Sequence, residues 1–220
     1  MNGKNGFTLL EMLVVMGIIA ILTGALVSGF SYATASAQRS RATETVHNVV
    51  GALEKILLDK GRWPSDLDDA ITKFGGKDGG NMGCVENVAR VFAKYGAMSV
   101  ASKGDKSSAE TIQLIGTDRC GIVDPWAVGV LKRKTGGQGS GKDLKVPTGG
   151  TVADHIIYYA VDDDHDGIVE ATVCGEKVRV RAKAIAWCAG ADGKLGSGYR
   201  KRAGENADNV YSWARAQEER

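Results

Sequence analysis

The chain has 220 residues with 28 basic and 26 acidic side chains, and this near-neutral balance gives no argument for a nucleic-acid partner. Its 30 glycines and three prolines indicate many turns and loops rather than a compact helical bundle. Its three histidines have no obvious Ser or Cys companion in a nucleophile motif, so the sequence does not predict an enzyme.

The first predicted element is an apolar segment from Phe7 to Phe30 in which Glu11 is the only charged side chain. As a helix rising about 1.5 Å per residue, this segment is long enough to cross the roughly 30 Å hydrocarbon core of a bilayer. A carboxylate in lipid needs a partner, and nothing else in the segment can supply one. A cleaved secretory signal or a plain signal anchor would explain the apolar character, but either would leave Glu11 unexplained.

The order Gly6-Phe7-Thr8-Leu9-Leu10-Glu11 resembles the N-terminal signature of type IV prepilins and of the pseudopilins of type II secretion. The resemblance implies that a prepilin peptidase cuts after Gly6 and methylates the new amino group of Phe7. It also implies that Glu11 pairs with the Phe7 amine of a neighbouring subunit during assembly, which would satisfy both charges in a low dielectric.

The helix is predicted to continue beyond the apolar segment as an amphipathic stretch, which Gly61 and Pro64 end. Apolar residues recur there at spacings of three and four, with charged side chains off the stripe. The stripe consists of Val46, Val49, Val50, Leu53, Ile56 and Leu57. The predicted divisions are a leader peptide (1–6), a transmembrane and assembly helix (7–30), its amphipathic continuation (31–62) and a globular periplasmic domain (63–220).

Beyond Pro125, runs rich in apolar and β-branched residues predict four strands, at 128–132, 155–161, 168–173 and 177–187. We therefore predict an α+β protein. In it, a long N-terminal helix, membrane-spanning in its first half, packs on a C-terminal antiparallel β-sheet, which is the pilin-like architecture that the resemblance also implies.

The four cysteines, Cys84, Cys120, Cys174 and Cys188, form no C-x-x-C pair, which argues against a zinc ribbon or a redox site. In a domain that an N-terminal segment exports from the cytoplasm, four cysteines predict two disulfides. The pairing considered joins Cys174 to Cys188 and Cys84 to Cys120. Three connectivities are compatible with the sequence, and four free buried thiols are the alternative.

Three short elements in the globular part, at 124–126, 189–193 and 209–213, resemble elements of the major pseudopilins of type II secretion and occur in the same order. They are Asp-Pro-Trp, a Gly-x-Asp-Gly turn and a segment that ends in Trp213. Ala127 departs from this pattern, since it stands where those proteins have Gly.

In the major pseudopilins the loop between the last two elements holds a calcium ion. The resemblance therefore implies a calcium site formed by Asp192, Asp208 and Asn209, since calcium accepts carboxylate and amide oxygens. However, an amide stands at 209 where Asp is common, and the basic residues 200–202 oppose a divalent ion. An ion-free turn closed by Asp-Gly is the alternative.

A second acidic run places Asp162, Asp164, Asp166 and Gly167 at positions 1, 3, 5 and 6 of an EF-hand loop. Position 12 is then Val173, where a bidentate Glu is required, and the flanks are predicted strands. We therefore interpret the run as an acidic β-hairpin turn in which Asp-Gly supplies positive φ angles.

The resemblance implies a structural subunit rather than an enzyme. It would be a single-pass inner-membrane protein, in contact with membrane lipid, with its C-terminal domain in the periplasm. It would polymerise with copies of itself and with other pseudopilins on an inner-membrane assembly platform to drive protein export. Two alternatives stay open, a type IV pilus subunit for adhesion, motility or DNA uptake, and a membrane-anchored periplasmic binding module or enzyme.

Overall fold

The computed structural model describes residues 8–64, 83–84, 92, 94–96, 112–114, 120–133, 144–199, 204–213 and 218. The predicted cleavage site at Gly6 and Phe7 and the basic residues 200–202 lie outside these residues. The chain divides into two compact units, Met1–Gln38 and Arg39–Arg220.

A single helix, α1, covers Leu9–Lys60 and confirms the predicted long N-terminal helix. It ends where Gly61 adopts a φ of +70° and donates its N–H to the carbonyl oxygen of Leu57 at 2.7 Å. A glycine in this left-handed conformation is the usual way to close a helix, and Pro64 follows shortly after. By length and composition, α1 is apolar enough to cross a membrane.

The amphipathic stripe of α1 is buried as predicted. Val46, Val49, Leu53 and Ile56 are at most 1% exposed, and the flanking Val50 and Leu57 are partly buried. The i, i+3, i+4 spacing therefore marks the face of the helix that enters the core of the second unit.

The sheets of the described chain are antiparallel, as predicted. Strands β1 (Gly83–Cys84), β4 (Tyr158–Val161), β7 (Ala184–Cys188) and β8 (Val210–Tyr211) form a four-stranded sheet in the order β1-β4-β7-β8. Two further pairs are β2 (Ile112–Leu114) with β3 (Cys120–Ile122), and β5 (Ile168–Val173) with β6 (Glu176–Arg181). A short helix, α2, covers Pro125–Arg133.

Strand β7 is buried on both faces and divides two apolar clusters. Ala184, Ala186 and Cys188 belong to the first cluster, which contains the α1 stripe, whereas Ile185 and Trp187 belong to the second. This alternation follows from the two-residue period of a strand. The second cluster is completed by β5, β6 and the aromatic residues Tyr199 and Trp213.

The strand predicted at 128–132 is wrong, because this segment lies within α2. The carboxylate of Asp124 accepts the backbone N–H groups of Trp126 (3.1 Å) and Ala127 (3.2 Å), and Pro125 occupies the first helical position. An acidic cap followed by proline starts a helix and outweighs the weak strand preference of the valines behind it.

Two other predicted strands need correction at their boundaries. The strand expected at 155–161 begins only at Tyr158, because Val152–His155 is a 3-10 turn. The run expected at 177–187 is two strands, β6 and β7, separated at residues 182–183, where the carbonyl oxygen of Lys183 accepts the N–H of Asp162 at 2.9 Å. The strand predicted at 168–173 is confirmed.

Candidate functional site

The first unit presents a surface of apolar side chains along α1. Leu9, Ile21, Leu26 and Phe30 are each more than 70% exposed. A contiguous apolar surface of this size is a membrane or protein interaction surface, because water does not favour its exposure.

Glu11 lies at the start of this surface and holds the first turn of α1. Its Oε2 accepts hydrogen bonds from both the backbone N–H and the hydroxyl of Thr8, each at 2.9 Å, and the Thr8 hydroxyl accepts the N–H of Glu11 at 3.3 Å. This reciprocal arrangement is a capping box. The role of Thr8 was missed at the sequence level, although a Thr followed three residues later by Glu is the signal that predicts it.

In the second unit, two of the sequence elements singled out above meet at His155. The ring atom Nδ1 lies 2.8 Å from Asp124 Oδ2, and Nε2 lies 2.9 Å from the carbonyl oxygen of Gly149. Gly193, in the Gly-x-Asp-Gly turn, packs so closely that a Cβ there would lie 2.8 Å from Nε2. His155 therefore joins the Asp-Pro-Trp element to the Gly-x-Asp-Gly turn, which no spacing in the sequence predicts.

The pKa values of both Asp124 and His155 lie above their ordinary values. Burial raises the pKa of Asp124, against the opposing effect of the hydrogen bond with His155. Burial alone would lower the pKa of His155, but the hydrogen bond and the charge of Asp124 outweigh it, so this pKa lies above its ordinary value. Both side chains are fully buried, so an ionised carboxylate without the imidazolium would be costly.

The two predicted calcium ligands Asp192 and Asp208 are brought together through the backbone of the loop. Asp208 Oδ2 accepts the N–H groups of Ala191 (2.6 Å) and Asp192 (3.0 Å). Asp192 Oδ1 in turn accepts the N–H of Lys194 at 2.9 Å. Gly190 has a φ of +71° and lies against Asp208, where a Cβ would be 2.5 Å from the carbonyl oxygen.

A buried residue that the sequence did not single out, Asn206, closes the other side of this loop. Its Oδ1 accepts the N–H of Gly196 at 3.0 Å, and its Nδ2 donates to the carbonyl oxygens of Gly196 (3.1 Å) and Ser197 (3.4 Å). Asn209, the third predicted ligand, is buried beside it. Asn206 therefore holds the backbone of Gly196 and Ser197 on one side of the loop.

The acidic run forms a turn in which one oxygen of each of Asp162, Asp164 and Asp166 lies within 4.8 Å of the others. Asp162, which is buried, accepts the N–H groups of Asp166 (3.2 Å) and Gly167 (2.9 Å). Val173, at the position of the bidentate ligand of an EF-hand, is fully buried in the second cluster.

The prediction of a β-hairpin at the acidic turn is wrong, although Gly167 does have the expected positive φ, at +88°. The strands on either side of the turn do not pair with each other, because β4 pairs with β7 and β5 pairs with β6. The acidic turn therefore connects the four-stranded sheet to the β5-β6 pair.

Cys174 and Cys188 are free thiols, so the pairing considered between them is not formed. Cys188 lies in the first cluster, whereas Cys174 packs against the second, with its Sγ 3.9 Å from the Tyr211 hydroxyl. Burial raises the pKa of Cys188 to about 12 and also raises that of Cys174. The side chains of Cys84 and Cys120 lie outside the described part of the structure, and their pairing stays a prediction.

Comparison with known proteins finds similarity to one family model and to one curated protein, each over part of the chain. The family described as "Prokaryotic N-terminal methylation motif" matches residues 1–27. The chain is 34% identical over 83 residues to the type II secretion system core protein G of Xanthomonas campestris pv. campestris, which covers 35% of this chain and 54% of that protein. The chain thus spans about half the length of the curated relative it matches. No solved structure matches it.

Proposed function

We propose that this chain, which is type IV prepilin-like at its N-terminus, is a pseudopilin of a type II secretion system. The single observation that carries the proposal is the first turn of α1, where Thr8 and Glu11 cap a helix whose first half is otherwise apolar and exposed. The prepilin-type motif over residues 1–27 and the local similarity to a secretion core protein support it.

The exposed apolar side chains of α1 would be covered in two successive environments. Before assembly, lipid would surround the segment, since it is long and apolar enough to span a bilayer. In the filament, the same side chains would pack against the helices of neighbouring subunits, as apolar helices do when they associate. The subunit would then move from membrane to filament without exposing this surface to water.

Glu11 would direct this assembly. Both of its hydrogen bonds to Thr8 use Oε2, so the carboxylate keeps the orientation of a helix cap while Oε1 can accept from a neighbour. Cleavage after Gly6 would create a cationic amine at Phe7, and the Phe7 amine of the next subunit would be the partner of Glu11. Pairing the two charges removes the cost of either one alone in a low dielectric.

The protein would therefore be a structural subunit of the inner membrane with its folded domain in the periplasm. Its partners would be a prepilin peptidase, an inner-membrane assembly platform, copies of itself and other pseudopilins. The similarity to core protein G favours protein export over the adhesive pilus that the N-terminal signature alone would also allow.

The test compares Glu11→Ala with Glu11→Gln and Thr8→Val in cells that overproduce the chain. We expect Glu11→Ala and Glu11→Gln to abolish filaments in sheared fractions, because neither carries the negative charge that neutralises a cationic amine. Both should still insert, so the amount of full-length subunit in the membrane fraction should not change. Thr8→Val removes a capping hydroxyl but keeps the carboxylate, and it should assemble at least partly.

Normal filament yield from Glu11→Gln would contradict the proposal, since that variant keeps the size of the side chain and loses only its charge. Loss of both variants from the membrane fraction would equally contradict it, because Glu11 would then act in insertion rather than in assembly.

A further inference from the structure

We propose that the described residues 189–199 and 204–209 of the C-terminal loop are closed on one another by their own side chains, without a metal ion. Two buried carboxamides, those of Asn206 and Asn209, hold together the backbone carbonyl groups that a divalent cation would otherwise gather. The inference does not depend on the proposed function, because it concerns only how this loop is held.

Asn206 shows most clearly how a side-chain amide holds the backbone of this loop together. It is 3% exposed, and its Nδ2 donates to two carbonyl oxygens of the loop, those of Gly196 and Ser197. Its Oδ1 accepts the N–H of Gly196, so the side chain binds this residue through both of its backbone groups. A carboxylate at this position could not donate to the two carbonyls, because an ionised carboxylate only accepts.

Asn209 does the same for a second pair of carbonyls in one of the two orientations of its amide. One end of its amide lies 2.8 Å from the carbonyl oxygen of Ala189 and 3.2 Å from that of Lys194, and the other end lies 3.2 Å from the Tyr211 hydroxyl. With the nitrogen directed at the carbonyls, Asn209 donates to both of them and its Oδ1 accepts from the Tyr211 hydroxyl, while that Oδ1 also lies 2.9 Å from Asn206 Oδ1. The reverse orientation gains a bond to Asn206 Oδ1 at 2.9 Å but sets the Asn209 oxygen against two carbonyl oxygens.

The carboxylates of the loop are engaged by backbone N–H groups. Asp208 Oδ2 accepts from Ala191 and Asp192, and Asp192 Oδ1 accepts from Lys194. A cationic side chain also reaches the loop, since a guanidinium nitrogen of Arg39 donates to the carbonyl oxygen of Ala207 at 3.5 Å. Calcium takes about six to eight oxygen ligands, whereas one oxygen of each of these two carboxylates already accepts from nitrogen donors. The carbonyl oxygens of Gly196, Ser197 and Ala207 do so as well.

The exchange of one atom should turn this loop into a metal-dependent one. Asn209→Asp replaces the donating NH2 group with an oxygen, which would then face the carbonyl oxygens of Ala189 and Lys194. Oxygen atoms gathered in this way repel one another unless a cation lies between them.

The test measures thermal unfolding of the full chain in detergent micelles, with EDTA or with millimolar calcium chloride. We expect the midpoint of the wild-type chain to be the same in both. For Asn209→Asp we expect a midpoint lower by roughly 5 °C in EDTA, from a lost buried hydrogen-bond donor, and a recovery in calcium. The matched control Asn209→Ala should be destabilised without any recovery, because it supplies no ligand.

The acidic turn at Asp162, Asp164 and Asp166 is a separate place where calcium could act, and Asp164→Asn controls for it. A calcium-dependent rise in the wild-type midpoint that persists in Asp164→Asn would overturn the proposal. A rise that disappears in Asp164→Asn belongs to the turn and leaves the loop closed without metal. An Asn209→Asp midpoint equal to that of the wild type in EDTA would also overturn it. If that variant fails to fold, the comparison of wild type with Asp164→Asn decides alone.

Discussion

Asp124 joins two parts of the core with one carboxylate. Its Oδ1 caps α2 through the N–H groups of Trp126 and Ala127, while its Oδ2 lies 2.8 Å from His155 Nδ1. Because Nε2 of the same ring faces the carbonyl oxygen of Gly149, both ring nitrogens have an acceptor in front of them. The imidazole is therefore stabilised in its protonated form, beside a carboxylate that burial would otherwise disfavour.

This pair makes stability depend on pH. The pKa of folded His155 lies above its ordinary value of 6.5, so the stabilisation is fully present below about pH 6.5 and is lost as pH rises through the raised value. The raised pKa of Asp124 also makes stability fall as pH rises, but its effect begins near the ordinary value of 3.8.

We expect the free energy of unfolding of the full chain to fall as pH rises above about 6.5, by up to about 1.4 kcal/mol per unit. Urea titrations in detergent micelles measure this free energy of unfolding at each pH. The pH values used lie below those at which the buried thiols lose their protons. His155→Gln keeps an N–H donor but cannot titrate, so it should be less stable near pH 6 and show a flatter dependence. An equal slope in the variant would assign the pH dependence to other groups.

At the scale of elements, the two faces of α1 in the second unit differ sharply over a few residues. Leu53 is fully buried in the first cluster, whereas Leu58, five positions later, is 75% exposed. Both are leucines inside the same helix and have the same helix propensity. Any difference between the effects of replacing these two leucines on the stability of the protein therefore comes from packing.

Leu53→Ala should lower the free energy of unfolding by about 2–5 kcal/mol, through lost burial and the cavity left behind. Leu58→Ala should change it by less than about 0.5 kcal/mol, as for most surface substitutions. Denaturant unfolding of the two variants, followed by tryptophan fluorescence, measures both. Similar losses for the two would contradict the assignment of the buried face.

The elements that could be predicted are those whose signals are local. The periodic stripe of α1, its stop at Gly61 and the strand at 168–173 follow from spacing and turn residues within one or two turns of chain. The valines of α2 favour a strand by their own propensity. The cap from Asp124, which starts a helix instead, depends on the folded geometry of that turn. The contact of His155 with Asp124, 31 residues away, and the closing of the C-terminal loop by Asn206 depend on tertiary structure and have no local signal.

At the scale of the whole molecule, the two units have opposite relations to water. The second unit buries its apolar residues in two clusters that β7 divides. The first exposes nearly continuous apolar side chains with one carboxylate at the start of the helix. Lipid or a neighbouring apolar helix can cover that surface, so the proposed function requires this chain to leave the membrane only into a polymer.

The intact mass of the protein purified from membranes tests this account most directly. The proposed function predicts a mature chain that begins at Phe7 and carries one added methyl group. Cleavage after Gly6 creates the Phe7 amine that pairs with Glu11 of a neighbouring subunit. A chain that retains residues 1–6 would contradict it, because it could not present that amine to a neighbouring subunit. A soluble chain that begins at Gln38 would also contradict it, since cleavage after the small residues Ala35-Ser36-Ala37 is what a conventional secretory signal predicts.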